Sequence, residues 1–492
     1  MCLRVRVPRC MSSQHPDNVR TPFFAGQNII GGEDEIKEAY YVFSHLGCDE
    51  QMWDMEGKEV DNFVVVKLLS NYDYFFMENR LGEDIFLTLR VPNPSVEKAE
   101  AKVLVEALES IPRSFDAARI FYGEDATPIF EVILPMTQSA RQLNRVYYYY
   151  REYVVGKQNK PCFKDDIPIR DWIGEFKPHE INVIPLIEDM TSMLNADQIV
   201  REYLKDKRVD YQRVFLARSD PALNYSLVSA VLMNKIALHK LEQLQEELSV
   251  DIYPILGVGS PPFRGGMTPS SEASVMEEYP SVQTFTIQSA FKYDYPEQQV
   301  MESIRRIKSR KRGKPQDPDV ETCQKILETV SREYEQEIVD VAPLINSIAP
   351  YIPQRRKRKL HIGLFGYSRG VGKAVLPRAI TFCAALYSLG IPPEVFGLST
   401  LSQKQLETIT EVYTSFEEHV SQALQYLNQD NLKLLPPSLA EKLRETAQKF
   451  EYETNQSHKE LTTQIVKLFK KNEPAKMEEK ILEAGAIRGF LG

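Results

Sequence analysis

The chain has 492 residues, 43% of them hydrophobic and 26% charged, the composition of an ordinary globular protein with a core too large to need disulfide staples. Sixty Lys and Arg against 69 Asp and Glu leave a net charge of −9, which argues against a general nucleic-acid coat but leaves room for local basic sites that bind anions. Six cysteines (Cys2, Cys10, Cys48, Cys162, Cys323, Cys383) stand without CxxC pairs, as in a reducing compartment. No run reaches eighteen apolar residues, and MCLRVRVPRC at the start lacks the apolar core of a secretory signal. A soluble, cytoplasmic protein with no membrane partner is expected.

In chain order, eight β-rich runs recur before residue 300: RVRVPRCMSS, DEQMWDME, DIFLTLRV, PIFEVILPM, EINVIPLIE, QRVFLARS, VDIYPILGV and SVQTFTIQS. Several are near-continuous apolar stretches, as in parallel strands covered on both faces. Between them lie segments such as SVEKAEAKVLVEALESI, with apolar residues at helical spacing. Eight such alternations predict a (β/α)8 barrel over residues 1–300, with a doubly wound open sheet as the alternative. Polar residues cluster where the runs end: His15, Asp54, Arg90, Glu188, Asp220, Arg264 and Gln288. In a barrel those ends share one face, and the active site sits there. Residues 301–492 read as a mainly helical region packing on the barrel and in a subunit interface, entered through the basic loop KSRKRGKPQDPD.

Glu188 and Asp220 end consecutive runs and could hold a hard divalent cation such as Mg²⁺, or each could cap the helix that follows. His15 in SQHPDN is a candidate acid–base group or a turn histidine. GVGSPPFRGGMTP surrounds Arg264 with glycines, either to admit an anion or as a flexible surface loop; as an anion site it would act as a lid. GYSRGVGKA (366–374) misses the P-loop spacing and its hydroxyl, which disfavours ATP but leaves Arg369 or Lys373 near an anion. The basic runs 308–314 and 355–359 are expected to be solvated faces or contacts between subunits, and YYYY (147–150) to pack on a helix. An interaction or RNA-binding protein would use those runs instead of the carboxylates.

The set PRCMSSQHPDN, MWDMEGK, FLTLRVPNP, FEVILPMTQSARQ, VIPLIEDM, VFLARSDPALNYS, GVGSPPFRGGMTP, TFTIQSAFKYD, LPRAITFCAALYSLG and AIRGFLG, in that order from Pro8 to Gly492, resembles the archaeal-type phosphoenolpyruvate carboxylases. The resemblance implies conversion of phosphoenolpyruvate and bicarbonate to oxaloacetate and phosphate through carboxyphosphate and a metal-stabilised enolate. It implies Mg²⁺ or Mn²⁺ on Glu188 and Asp220, with His15, Arg264 and Arg378 catalytic. It implies Gly265, Gly266, Gln288 and Lys292 at the substrate, in a cytoplasmic homotetramer that binds no nucleic acid.

Two departures stand out. GVGSPP replaces the first arginine of the GRGG loop of the larger relatives, and Leu223 or Asn224 stands where they carry a lysine. Anion-binding charge must then come from elsewhere, with Arg90, Arg141 and Arg218 as candidates. Another Mg²⁺-dependent barrel lyase acting on a 2-oxo acid is the alternative enzyme.

Overall fold

The computed structural model describes residues 6–55, 61–98, 101–357 and 369–492. Eight parallel strands close into one barrel: β1 (Cys10–Ser12), β2 (Glu50–Asp54), β3 (Phe86–Arg90), β4 (Glu131–Leu134), β5 (Asn182–Ile187), β6 (Tyr211–Ala217), β7 (Asp251–Gly257) and β8 (Thr284–Ile287). Each pairs with the next, and β8 returns to β1 with Met11 opposite Thr286. All eight expected runs are strands, and the open-sheet alternative is excluded by that closure. Apolar residues predominate in them because the outer face is covered by helices and the inner face by the opposing strands.

Inside the barrel, side chains form layers, with every second residue of a strand pointing inward. The lowest layer comes from the even strands and is ionic. Arg213 of β6 donates to both oxygens of Glu50 on β2 at 2.8 and 2.7 Å, to Glu131 on β4 at 2.8 Å and to Thr284 on β8 at 3.3 Å. The pairing holds Arg213 charged despite complete burial. Above it, Met11, Met52, Ile133, Ile184, Leu186, Phe215 and Ile255 form an apolar plug. Two further steps along the strands reach the barrel mouth.

Beyond Ser309 the described chain is mainly helical, with one short hairpin, β9 (Arg369–Val371) and β10 (Ala374–Leu376). The helix Val320–Ile348 packs against Leu227–Leu248, and Tyr334 within it donates to the Leu223 carbonyl at 2.8 Å. The helix Ala379–Ser388 aims its first turn at the barrel mouth. The tyrosine run packs as expected, with Tyr147 and Tyr150 buried. Among the described residues no helix is long and apolar enough to cross a membrane, and the five described cysteines are free thiols.

The basic runs meet expectation in part: Lys311, Lys314 and Lys357 are exposed, residues 358–359 lie outside the described residues, and the rest depart from it. Arg355 and Arg356 are buried rather than solvated: Arg356 pairs with Glu35 at 3.0 Å and Glu38 at 2.9 Å, and Arg355 donates to the carbonyls of Asn18 and Val19. Lys308, Arg310 and Arg312 fold against the barrel's N-terminal end. The cause is the same in both places. Carbonyls and carboxylates at strand and loop ends need donors, and long cationic side chains supply them while burying their methylenes.

Candidate active site

A cavity of about 100 Å³ opens at the C-terminal ends of the strands. Its wall follows the inward period of two: Met52 and Asp54 on β2, Arg90 ending β3, Leu186 and Glu188 on and after β5, Phe215 and Ala217 on β6, Gly257 ending β7, Thr286 and Gln288 on and after β8. His15, Arg218, Ser219, Asp220 and Arg264 come from the loops that follow. Arg378, Ala379 and Ile380 enter from the helical region and close one side.

Glu188 and Asp220 reach this cavity from adjacent strands, since β5 and β6 pair at Leu186–Phe215 and Ile187–Leu216. Neither is the helix cap. Asp189 caps the helix Met190–Leu194, accepting from the Ser192 N–H at 2.9 Å, and the residue at the N-cap of Ser219–Tyr225 is Arg218, which leaves Asp220 inside the first turn. Among the described residues no third His, Cys, Asp or Glu joins them in a metal-binding group. Two carboxylates in a polar cavity suit Mg²⁺ or Mn²⁺, whose octahedron water and substrate oxygens complete, and not a closed zinc centre.

The arginines differ in how they are held. Arg90 pairs with Asp54 at 3.0 Å across the β2–β3 register. Arg264, 1% exposed, spends its donors on protein: Nε on Ser219 Oγ at 3.1 Å, Nη1 on the Gly492 carbonyl at 2.6 Å and on Asp17 at 3.4 Å, Nη2 on Gln288 Oε1. Gly259 makes this possible, because a Cβ there would lie 2.9 Å from the Arg264 guanidinium carbon and 3.0 Å from Gln288 Oε1. Arg218 is equally buried, yet its Nε and Nη1 have no hydrogen-bond partner. Its guanidinium sits behind the cavity wall near Tyr279 and His419, and adds positive charge to that side of the mouth. Arg378 adds charge beside the N-terminus of the helix Ala379–Ser388, which favours an anion too. His15 lies half-buried with Nδ1 2.9 Å from Ser13 Oγ.

Similarity to known proteins gives this geometry its context. The family model described as phosphoenolpyruvate carboxylase matches residues 7–492. The chain belongs to the phosphoenolpyruvate carboxylase family. Proteins named phosphoenolpyruvate carboxylase from Methanothermobacter thermautotrophicus, Methanospirillum hungatei and Pyrococcus furiosus are 53%, 51% and 51% identical, each over 99% of this chain and 100% of the relative. Among solved structures, a citrate lyase from Burkholderia xenovorans LB400 is similar over 61% of this chain and 77% of its own, at 11% identity and a TM-score of 0.37. That likeness bears on nothing further.

In this family member, eight of the twelve residues singled out in the sequence line the cavity: His15, Arg90, Glu188, Arg218, Asp220, Arg264, Gln288 and Arg378. Four do not. Arg141 is exposed in the first turn of the helix Ala140–Tyr149. Lys292 is turned away into the core, where it donates to Ser12 Oγ, the Ser13 carbonyl and Glu38 at 3.0, 3.0 and 2.9 Å. Gly265 and Gly266 shape the Arg264 turn from behind. At φ +122°, a Cβ on Gly265 would strike Val258 at 2.5 Å, and Gly266 lies against His419, which burial pushes down to about 4 and so keeps neutral.

That turn is neither a flexible loop nor a free lid. Residues 258–267 are buried throughout, and Gly259 and Arg264 are tied through Gly259 N–H to the Arg264 carbonyl at 2.8 Å. The Phe263 N–H donates to Glu394 at 2.7 Å, and burial raises that carboxyl to about 7. Of GYSRGVGKA, only the end is described. It forms the β9–β10 hairpin, with Lys373 exposed and off the cavity wall, and residues 366–368 and the Arg369 side chain lie outside the described residues.

Asp17, Asp54 and Ser219 were not among the twelve. Asp54 was named in the sequence among the polar run ends but given no role there. Asp17 carried no such signal: it is completely buried, accepts from the Ala290 N–H at 2.7 Å and orients Arg264 from 247 positions away.

Proposed function

We propose that the protein forms oxaloacetate and phosphate from phosphoenolpyruvate and bicarbonate at this cavity, in the barrel 1–300, with region 301–492 contributing Arg378. One observation carries the reading: a family member's barrel mouth gathers three carboxylates, four arginines and a histidine around one small cavity. Two anions must meet there, and their repulsion has to be offset before an oxygen of bicarbonate can approach phosphorus. Arg218 adds positive charge at the phosphoryl side of the cavity, and Arg378 adds charge at the helix N-terminus. Arg264, fixed by Asp17, Ser219 and Gln288, gives that face a charge that need not reorganise during reaction.

Glu188 and Asp220 would hold Mg²⁺ or Mn²⁺, which supplies positive charge to the substrate's carboxylate and enol oxygens. The bicarbonate oxygen bonds to phosphorus as the enol oxygen leaves with the P–O electron pair. His15 takes the remaining proton of carboxyphosphate, CO₂ and phosphate separate, and the enolate carbon attacks CO₂. Lys292 acts from behind: by anchoring Ser12 and Ser13 it sets the chain entering His15. Gly265 and Gly266 act likewise through the Arg264 turn. Another metal-dependent lyase would share the carboxylates but would have no use for four arginines around the same cavity.

The reading includes a cytoplasmic homotetramer. Free thiols suit a reducing compartment, and the exposed Phe163, Ile167, Trp172 and Ile173 suit contact between copies. Bicarbonate labelled with ¹⁸O in all three oxygens tests the chemistry. One label is expected in phosphate and two in the new carboxyl group. Phosphate that takes its oxygen from water instead would reduce the activity to hydrolysis and refute the reading.

A further inference from the structure

At the opposite end of the barrel lies a second cavity, of about 400 Å³, between the residues that precede β1, β2 and β8 and the segment after the helix Glu297–Ser309. Its wall carries Arg6, Arg9, Lys308 and Arg312, with Arg310 packed directly behind and bonded to Arg9 through its carbonyl. Among the described residues Asp49 is the one carboxylate on that wall, and Arg6 and Lys308 both reach it at 2.9 Å. Glu242 stands 3.7 Å from Arg312, and Asp251 is held by Tyr253 at 3.1 Å. Five cations therefore face three carboxylates, in a chain whose net charge is −9.

Most of these cations also donate to backbone: Arg310 to the carbonyls of Pro280 and Val282, Arg312 to Ser281 at 2.7 Å, Lys308 to Gly47 at 2.8 Å. Carbonyls satisfy N–H groups but do not neutralise charge. The excess is felt. Burial together with the charges of Arg9 and Arg312 pushes Arg310 down to about 10, and its Nε is buried without a partner. Stapling of loops accounts for the hydrogen bonds and leaves the positive charge unexplained.

We infer that this cavity is a binding site for a small organic phosphate. Guanidinium forks match phosphate oxygens in pairs, and Arg6, Arg9 and Arg312 present three of them on this wall. About 400 Å³ exceeds what a bare ion fills and lies in the range of small-molecule sites. The site shares no residue with the barrel-mouth cavity, and the inference stands whether or not the proposed carboxylation does.

Glycerol 3-phosphate is the probe, titrated calorimetrically into wild type, Arg218→Gln and Lys308→Gln/Arg312→Gln. Arg218→Gln removes a positive charge at the barrel mouth and is expected to keep one saturable site. The double variant is expected to weaken that site at least tenfold, and the ligand to protect Lys308 from acylation in wild type. If the double variant does not fold, Arg6→Gln, at a side chain half exposed to solvent, is expected to weaken binding about threefold with carboxylase turnover unchanged. No saturable binding to Arg218→Gln, or unchanged affinity in the folded basic-site variants, overturns the inference. So does equal affinity for succinate, which would make the site general for dianions, or binding of single-stranded RNA alone.

Discussion

Arg218 sits 1% exposed beside the cavity with two buried donors that no protein group meets, a state that costs stability. Its substitution therefore separates function from fold. Arg218→Gln is expected to lower kcat/KM about 10²–10³-fold, as for loss of a preorganised donor, while thermal melting shows a Tm unchanged or raised. A Tm that falls in proportion to activity would mean the side chain serves packing. Gly259→Ala tests the same site through shape. Its methyl would press on the Arg264 guanidinium and Gln288, so activity is expected to drop about tenfold or more by loss of positioning. Steady-state rates at saturating substrate read this out, and an unchanged kcat would show that Arg264 can shift without consequence.

At the scale of the elements, the Arg264 turn rests on Glu394, whose Oε1 accepts from the Phe263 N–H and the Tyr387 hydroxyl, each at 2.7 Å. Burial raises this carboxyl from its ordinary 4.5 to about 7. The folded state thus binds the proton more tightly than the unfolded one. Its stabilising contribution is complete below pH 4.5 and is lost as pH rises through 7. Glu394→Gln keeps the acceptor and removes the charge, so its Tm advantage over wild type should grow between pH 5 and 8, on the order of 3 kcal/mol at most. A pH-independent difference would contradict the burial argument. The ionic layer behaves differently: Arg213→Met leaves Glu50 and Glu131 buried without their cation, at a cost of about 3–5 kcal/mol, which denaturant unfolding would measure.

The same elements show what was readable beforehand. Eight apolar runs are visible because parallel strands buried on both faces cannot alternate with polar residues, and their polar ends mark the cavity. Glu188 and Gln288 were found that way. Lys292 was not placed correctly, because a lysine ending a strand–helix turn looks the same whether it faces a ligand or Glu38. The basic runs misled for a related reason. Linear charge density suggests solvation, but Arg310 finds carbonyls 28 to 30 positions back and Arg356 a carboxylate 318 positions back.

For the whole molecule, one barrel carries charge at both ends and an apolar plug between them. The mouth combines anion-binding arginines with carboxylates, the combination a metal-assisted reaction of two anions requires. The most direct measurement is oxaloacetate formation from phosphoenolpyruvate and bicarbonate, followed by malate dehydrogenase and NADH, with and without Mg²⁺, in wild type and Asp220→Ala side by side. Metal-dependent oxaloacetate in wild type, reduced at least a hundredfold in the variant while its fold persists, is the predicted result. Folded, metal-loaded wild type that forms no oxaloacetate, or a variant that forms it as fast, would contradict the assignment of this cavity.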